Sequence, residues 1–221
     1  MHPEISTVVM NINDRFGPVV LGGREKVLFG SGYIEDLLCT CRFRISASSF
    51  YQVNPVQTET LYKTAIDFAA LTGVETVLDA YCGIGTIGIA ASAKAKQVIG
   101  VEINRDAVRD AIANAKLNDV KNCWFTAGDA GVYLEHMAED GVRPELVFMD
   151  PPRSGSDRRF LDSLISCAPP RVVYVSCNVE TQRRDLDILI RGGYAVRRIQ
   201  PVDMFPYTNH VECVVLMTRA K

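Results

Sequence analysis

The sequence predicts an α/β protein: a mostly parallel seven-stranded sheet with a C-terminal antiparallel hairpin, plus a small N-terminal antiparallel β subdomain. Three observations lead there. From Glu75 onward, apolar strand-like runs alternate with helical patterns, and a glycine-rich turn joins the first of these strands to its helix. The first 45 residues differ, with short alternating segments broken by Gly22-Gly23 and Gly30. Such alternation implies βαβ units and a buried sheet with helices on both faces.

Thr7–Asn11, Val19–Leu21, Lys26–Leu28 and Cys41–Ile45 read as the short strands of the β subdomain. Asn54 is a good N-cap and Pro55 a good first helical residue, so a helix is expected from there to about Leu71. The expected boundary follows: residues 1–53 form the β subdomain and a segment facing the site, and 54–221 the main domain. Strands are then expected at Thr76–Ala80, Gln97–Glu102, Trp124–Ala127, Leu146–Met149 and Arg171–Val175, with helices at Ile87–Ala93, Asp106–Leu117 and Glu180–Ile190. Tyr194–Ile199 and His210–Thr218, joined through Pro201 and Pro206, read as an antiparallel hairpin at the sheet edge.

At 221 residues, 48% of them hydrophobic, the chain can bury one sizeable core. No apolar run approaches the roughly 18 residues that span a bilayer, so a cytoplasmic protein without membrane contact, and a monomer, is expected. The seven cysteines are odd in number and scattered, as suits reduced thiols, and no zinc or iron–sulfur spacing occurs, so no metal is expected. Cys39 and Cys41, read as alternating along a strand, would point to opposite faces and play a structural part. A net charge of −2 argues against a strong polyanion binder, but the charge is uneven: 13 basic and 19 acidic residues fall in 1–150, against 11 and 7 in 151–221.

Leu78-Asp79-Ala80-Tyr81-Cys82-Gly83-Ile84-Gly85-Thr86-Ile87-Gly88 places the glycine-rich turn at the carboxyl end of the first parallel strand, where doubly wound sheets bind ligands. The text Gly83-x-Gly85-x-x-Gly88 also satisfies a dinucleotide fingerprint, with Glu102 placed for a ribose. Asp79 weighs against a dinucleotide, because its carboxylate would repel a pyrophosphate. Tyr81 is placed to line the pocket, Glu102 to take both ribose hydroxyls and Asp129 to take an adenine amino group. A tight turn alone would explain the glycines but not three acids at successive strand ends.

Further along, Asp150-Pro151-Pro152-Arg153-Ser154-Gly155 follows the fourth strand and Tyr174-Val175-Ser176-Cys177-Asn178 ends the fifth, where a helix N-terminus can lower a thiol pKa. His210-Val211-Glu212 sets an acid among apolar residues, which is costly to bury without a task. Each has a plain reading too: a core cysteine, a rigid loop, an exposed glutamate. Together with Ser49-Phe50-Tyr51-Gln52-Val53-Asn54 and Asp203-Met204-Phe205-Pro206, these motifs resemble the RNA uracil-5-methyltransferases of the ribosomal RumA and transfer-RNA TrmA type, from about Ile45 to Arg219.

That resemblance implies a Rossmann-like class I fold dependent on S-adenosyl-L-methionine, with S-adenosyl-L-homocysteine as product and RNA as partner, 23S ribosomal RNA more than transfer RNA. The ribosomal preference comes from Gly83 to Gly88, which looks like the ribosomal enzymes of Gram-positive bacteria. It implies Cys177 as nucleophile, Glu212 as base and Phe50 stacked near the target base. Gln52, Asp79, Tyr81, Gly83, Thr86, Glu102, Asp129 and Asp150 would form the cofactor pocket, with Arg153 facing substrate. The chemistry requires such a pair: carbon 5 of uracil becomes nucleophilic only once a thiolate adds at carbon 6, and a base must then remove the carbon 5 proton. An RNA cytosine-5-methyltransferase would carry a second cysteine, and an amino-group methyltransferase an aromatic, where Arg153 stands. A non-catalytic RNA-binding module would need neither Cys177 nor Glu212. Members of the family usually begin with an RNA-gripping β-barrel and a four-cysteine iron–sulfur segment, neither of which is read here, so a piece or short form with weakened RNA affinity is expected.

S-adenosylhomocysteine should therefore bind the folded chain and NAD should not. Calorimetry with both ligands measures this, and tight NAD binding would overturn the cofactor reading.

Overall fold

The computed structural model describes every residue except 1, 15, 17–19 and 221. A seven-stranded sheet organises it, comprising β5 (Thr76–Ala80), β6 (Gln97–Glu102), β7 (Cys123–Ala127), β8 (Leu146–Met149), β9 (Arg171–Ser176), β10 (Tyr194–Val202) and β11 (Glu212–Arg219) in the order β10-β11-β9-β8-β5-β6-β7. The pairs from β9 through to β7 are parallel, while β11 runs antiparallel to both β9 and β10. The order reverses between β5 and β8, and such switch points open the crevice in which ligands bind.

Alternate residues of each strand feed opposite layers. Val77, Val98, Leu146 and Phe148 face the layer of α1 (Pro55–Ala69), α2 (Thr86–Ala91) and α3 (Arg105–Leu117). Leu78, Val101, Val147 and Met149 face α4 (Ala130–Glu139), α5 (Arg158–Cys167) and α6 (Val179–Arg191). Near-continuous apolar strands thus fill two cores.

The strands expected from Thr76 onward, the closing hairpin and the expected helices are all present, with Asn54 capping α1 through its side chain and Pro55 in the first turn. Two helices, α4 and α5, are additional. Asp129 and Asp157 cap them, and α5 turns Phe160, Leu161, Leu164 and Cys167 inward while Asp162 and Ser166 face solvent. The N-terminal region holds two separate hairpins: β1 (Thr7–Ile12) with β2 (Arg24–Gly30), and β3 (Tyr33–Leu38) with β4 (Cys41–Ser46). Strand β3 is unexpected because Glu35 and Asp36 are poor strand formers. Of the expected Val19–Leu21 strand, Val19 lies outside the described residues, and Val20 and Leu21 are not strand. Cys39 is not on a strand either: with Thr40 it makes the β3–β4 turn in left-handed backbone.

A stripe of polar side chains docks this second hairpin on the main body. Asn114 of α3 accepts from the Arg44 N–H at 2.7 Å and donates to the carbonyls of Arg44 and Ile84. One turn on, Asn118 accepts from the Arg42 N–H and donates to the Arg42 carbonyl. One turn back, Asp110 accepts from the hydroxyls of Ser46 and Ser49. Residues four apart on a helix thus meet residues two apart on an extended edge, because both spacings cover about 6–7 Å. The docked edge leads into Phe50 and Gln52.

Asn114→Ala should leave the buried Ile84 carbonyl and the half-buried backbone groups of Arg44 without their partner, at a cost of about 1–3 kcal/mol. Thermal unfolding should show a Tm lowered by roughly 2–12 °C, and Asn118→Ala, nearer solvent, should lose less. Equal Tm values for wild type and Asn114→Ala would contradict this docking.

Candidate functional site

A cavity of about 860 Å³ opens at the carboxyl ends of β5 to β9, within the size range of small-molecule sites. Phe50, Gln52, Tyr81, Gly83, Thr86, Glu102, Asp129, Asp150, Arg153, Cys177 and Glu212 all line it. Asp79 instead lies beneath the loop, buried, where it accepts from the Gly88 N–H at 2.9 Å.

The glycines of the loop have separate reasons. Gly83 and Gly85 take left-handed backbone, and a Cβ on Gly85 would lie 2.9 Å from the Phe125 ring. A Cβ on Gly88 would lie 2.7 Å from the Asp79 carboxylate. The third glycine of the fingerprint therefore admits Asp79, and the N–H that a phosphate would use at this helix start is already taken. Tyr81, also left-handed at φ 62°, is held by its hydroxyl on Ser156 at 3.4 Å and its ring against Phe160. Glu102 accepts from the Gly83 and Asn104 N–H groups, and Asp129 caps α4 at the Val132 N–H. These carboxylates are oriented by backbone donors before any ligand arrives.

The opposite wall is the loop after β8, tied down by α6. The Arg153 carbonyl accepts from Asn178 and Thr181, each at 3.2 Å, Ser156 N–H donates to buried Asp185, and Arg184 donates to the carbonyls of Ser154 and Ser156. Gly155 sits in left-handed backbone where a Cβ would lie 2.5 Å from the Arg184 guanidinium. The Arg153 side chain reaches His210 Nδ1 at 3.0 Å, across from the β10–β11 connection.

Cys177 and Glu212 meet through strand register. In the antiparallel β9–β11 pair, Cys213 faces Ser176, and continuing one step sets Glu212 opposite Cys177. Directly opposed residues project to the same face of a sheet. Glu212 is only 2% exposed, whereas Phe50 at the cavity mouth is 78% exposed. Among the described residues no group donates a hydrogen bond to the carboxyl of Asp150 or Glu212.

Burial dominates the electrostatics. It pushes Asp79 up to about 7, against the Gly88 hydrogen bond, with Glu102 adding to the rise. Burial, then Glu212 and Asp79, push Asp150 well above the usual carboxylate range, and burial pushes Glu212 up to about 7. The Cys177 thiol is likewise raised, by burial and then by Glu212 and Asp150. The lowering expected from the helix N-terminus is outweighed, because α6 starts two residues further on and two carboxyl groups face the sulfur.

Tyr62, Ile103, Asp157 and Thr208 also line the cavity and were not expected to. Ile103 directly follows Glu102 as an exposed apolar residue after a strand, a signal the sequence does hold. Tyr62 sits among the apolar residues of an amphipathic helix and reads as core.

The sequence model of the tRNA (uracil-5-)-methyltransferase family matches residues 19–220. Proteins named as uncharacterized RNA methyltransferases from Enterococcus faecalis and Bacillus cereus are each 49% identical over 99% of this chain and 48% of their own length. The chain thus spans about half the length of these relatives. The solved structure of the Pyrococcus abyssi tRNA (uracil-54, C5)-methyltransferase in complex with S-adenosyl-L-homocysteine superposes with a TM-score of 0.80 at 30% identity, covering 97% of this chain and 51% of that one. Trm5b from the same organism, 20% identical with a TM-score of 0.68 over 99% of this chain and 65% of its own, shares the fold.

A cationic ligand needs ionised carboxylates, and Asp79 ionises only near pH 7, Asp150 above its usual range. Affinity for S-adenosylhomocysteine, which carries an ammonium group, should therefore rise between pH 6 and pH 8, by up to about tenfold per pH unit for each proton released. Calorimetry in buffers of different ionisation enthalpy measures both quantities. A flat profile without proton release would contradict the raised carboxyl groups.

Proposed function

The chain belongs to the tRNA (uracil-5-)-methyltransferase family, and we propose that it transfers a methyl group from S-adenosylmethionine to carbon 5 of a uridine in RNA through a covalent adduct on Cys177. The observation that carries this reading is the β9–β11 register, which sets a thiol and an unpartnered carboxyl group side by side on one cavity. The residues fit the cofactor. Asp129 and Glu102 take the adenine and ribose, Gly83 lets the loop approach, Tyr81, Thr86, Gln52 and Asp150 surround the methionine end, and Asp79 holds the loop from beneath through Gly88. When bound, the cofactor supplies an electrophilic methyl group on a sulfonium.

Cys177 loses its proton to solvent and its sulfur bonds to carbon 6 of the ring, moving the double-bond electrons onto carbon 5 and the carbonyl at carbon 4. Carbon 5 takes the methyl group, and the carbon–sulfonium bond electrons stay on the cofactor sulfur. Glu212 then removes the carbon 5 proton, the double bond re-forms, and the carbon–sulfur bond breaks to return the thiolate. A carboxyl group held near 7 suits that role, since an efficient base titrates near the working pH. Phe50 stacks on the ring, and Arg153 faces the RNA from the rim. As substrate we favour 23S ribosomal RNA over transfer RNA, on the likeness of Gly83 to Gly88 to ribosomal enzymes. Mapping of 5-methyluridine in both RNAs from cells lacking the full-length gene tests that choice.

Cys177→Ala should abolish methylation while S-adenosylhomocysteine affinity stays within about twofold, because the thiolate acts on the base and not on the cofactor. Glu212→Gln should slow turnover by about 10²–10⁴-fold and accumulate a methylated RNA–protein adduct that survives denaturing electrophoresis, absent in the Cys177→Ala double variant. The test uses the full-length protein with uridine-containing RNA. Normal turnover by either variant would remove that residue from its role.

A further inference from the structure

Tyr62 lines the cavity, yet none of the steps above uses it. It lies in the middle of α1, 5% exposed, with its hydroxyl end on the cavity. The hydroxyl accepts a hydrogen bond from Thr86 Oγ1 at 3.2 Å. A tyrosine hydroxyl both accepts and donates, and among the described residues nothing accepts the Tyr62 proton. Asp150 and Asp79 are near enough to push its ionisation up, after burial itself, so the group is a neutral phenol with one hydrogen to give.

The sheet order says what should receive it. Asp129, Glu102 and Thr86 stand at the carboxyl ends of β7, β6 and β5, and Asp150 at that of β8, in the order in which those strands lie side by side. A cofactor whose adenine and ribose are held at Asp129 and Glu102 must extend its methionine end toward Thr86 and Asp150, where Tyr62 stands. That end carries one cation and one anion. The carboxyl groups there are acceptors, suited to the ammonium, and would repel a carboxylate. Tyr62 supplies a donor at the same place.

We infer that Tyr62 is a positioning residue that donates its free hydroxyl proton to the carboxylate of the cofactor's methionine end, held in aim by Thr86. The inference rests on the reading of this cavity as an S-adenosylmethionine site. By fixing the amino-acid tail, the contact sets how the sulfonium faces carbon 5, so its loss alters cofactor affinity first.

The test compares S-adenosylhomocysteine with its decarboxylated analogue, which keeps the adenosine, thioether and amine. Tyr62→Phe, which keeps the buried ring, should weaken S-adenosylhomocysteine by about tenfold to a hundredfold, the range for a hydrogen bond to a charged group. The analogue should bind both proteins within about twofold, so the preference for the carboxylate collapses in the variant. If Tyr62→Phe weakens both ligands equally, the proton serves Asp150 or the fold, and the inference is overturned; unchanged affinity for S-adenosylhomocysteine also overturns it. Failure of wild type to bind either ligand would instead defeat the cofactor reading beneath it.

Discussion

The antiparallel pairing of β11 with β9 is the constraint on which the chemistry depends. A fully parallel sheet would deliver only strand ends that point the same way, each followed by its own loop. By entering the sheet in the reverse direction, β11 starts where β9 stops, so a residue at its first position faces a residue just past the last position of β9. Cys177 and Glu212 are 35 residues apart in the chain, yet adjacent in register. A slip of one residue would turn Glu212 to the other face. The register is fixed by buried Val214, Val215 and Met217, which alternate between the two cores.

The same burial that fixes the register sets the site's charge. Asp79, Asp150, Glu212 and the Cys177 thiol share a low-dielectric region in which each resists ionisation, and neighbours of like charge add to the effect. Apart from the Gly88 N–H on Asp79, and a backbone hydrogen bond and the Arg153 guanidinium on Cys177, little on the protein offsets this. A cation in the cavity favours the anionic form of all four. The Cys177 sulfur is thus biased toward its thiol form, and the surrounding loops are held by other means: Asp185 and Arg184 on the loop after β8, and Glu102 and Asp129 on backbone N–H groups.

Much of this was legible in the sequence because the sheet is parallel. Buried strands such as Leu146–Met149 announce themselves as apolar runs, and acids just past them mark the carboxyl ends where a ligand sits. Helices α4 and α5 are harder to see because each is only ten residues long, shorter than the window over which a helical period stands out, although Asp129 and Asp157 mark their starts. Asp79 was read as part of the pocket, and only the packing shows that it acts from beneath through Gly88. The Cys177 thiol is raised where the sequence predicts lowering, because a helix N-terminus is visible in sequence, whereas burial and two carboxyl groups brought from β8 and β11 are not. Tyr62 was invisible for a similar reason: an aromatic on an amphipathic helix reads as core until the helix is placed against a cavity.

If Cys177 adds to carbon 6 before methyl transfer, a substrate whose carbon 5 hydrogen is replaced by fluorine must stall, because fluorine cannot leave as a cation to a base. The most direct measurement incubates the full-length protein with S-adenosylmethionine and RNA containing 5-fluorouridine, digests the product and sequences the modified peptide by mass spectrometry. The account predicts a methylated fluorouridine joined to Cys177. An adduct on another cysteine, or methylation of the normal RNA without any fluorouridine adduct, would contradict it.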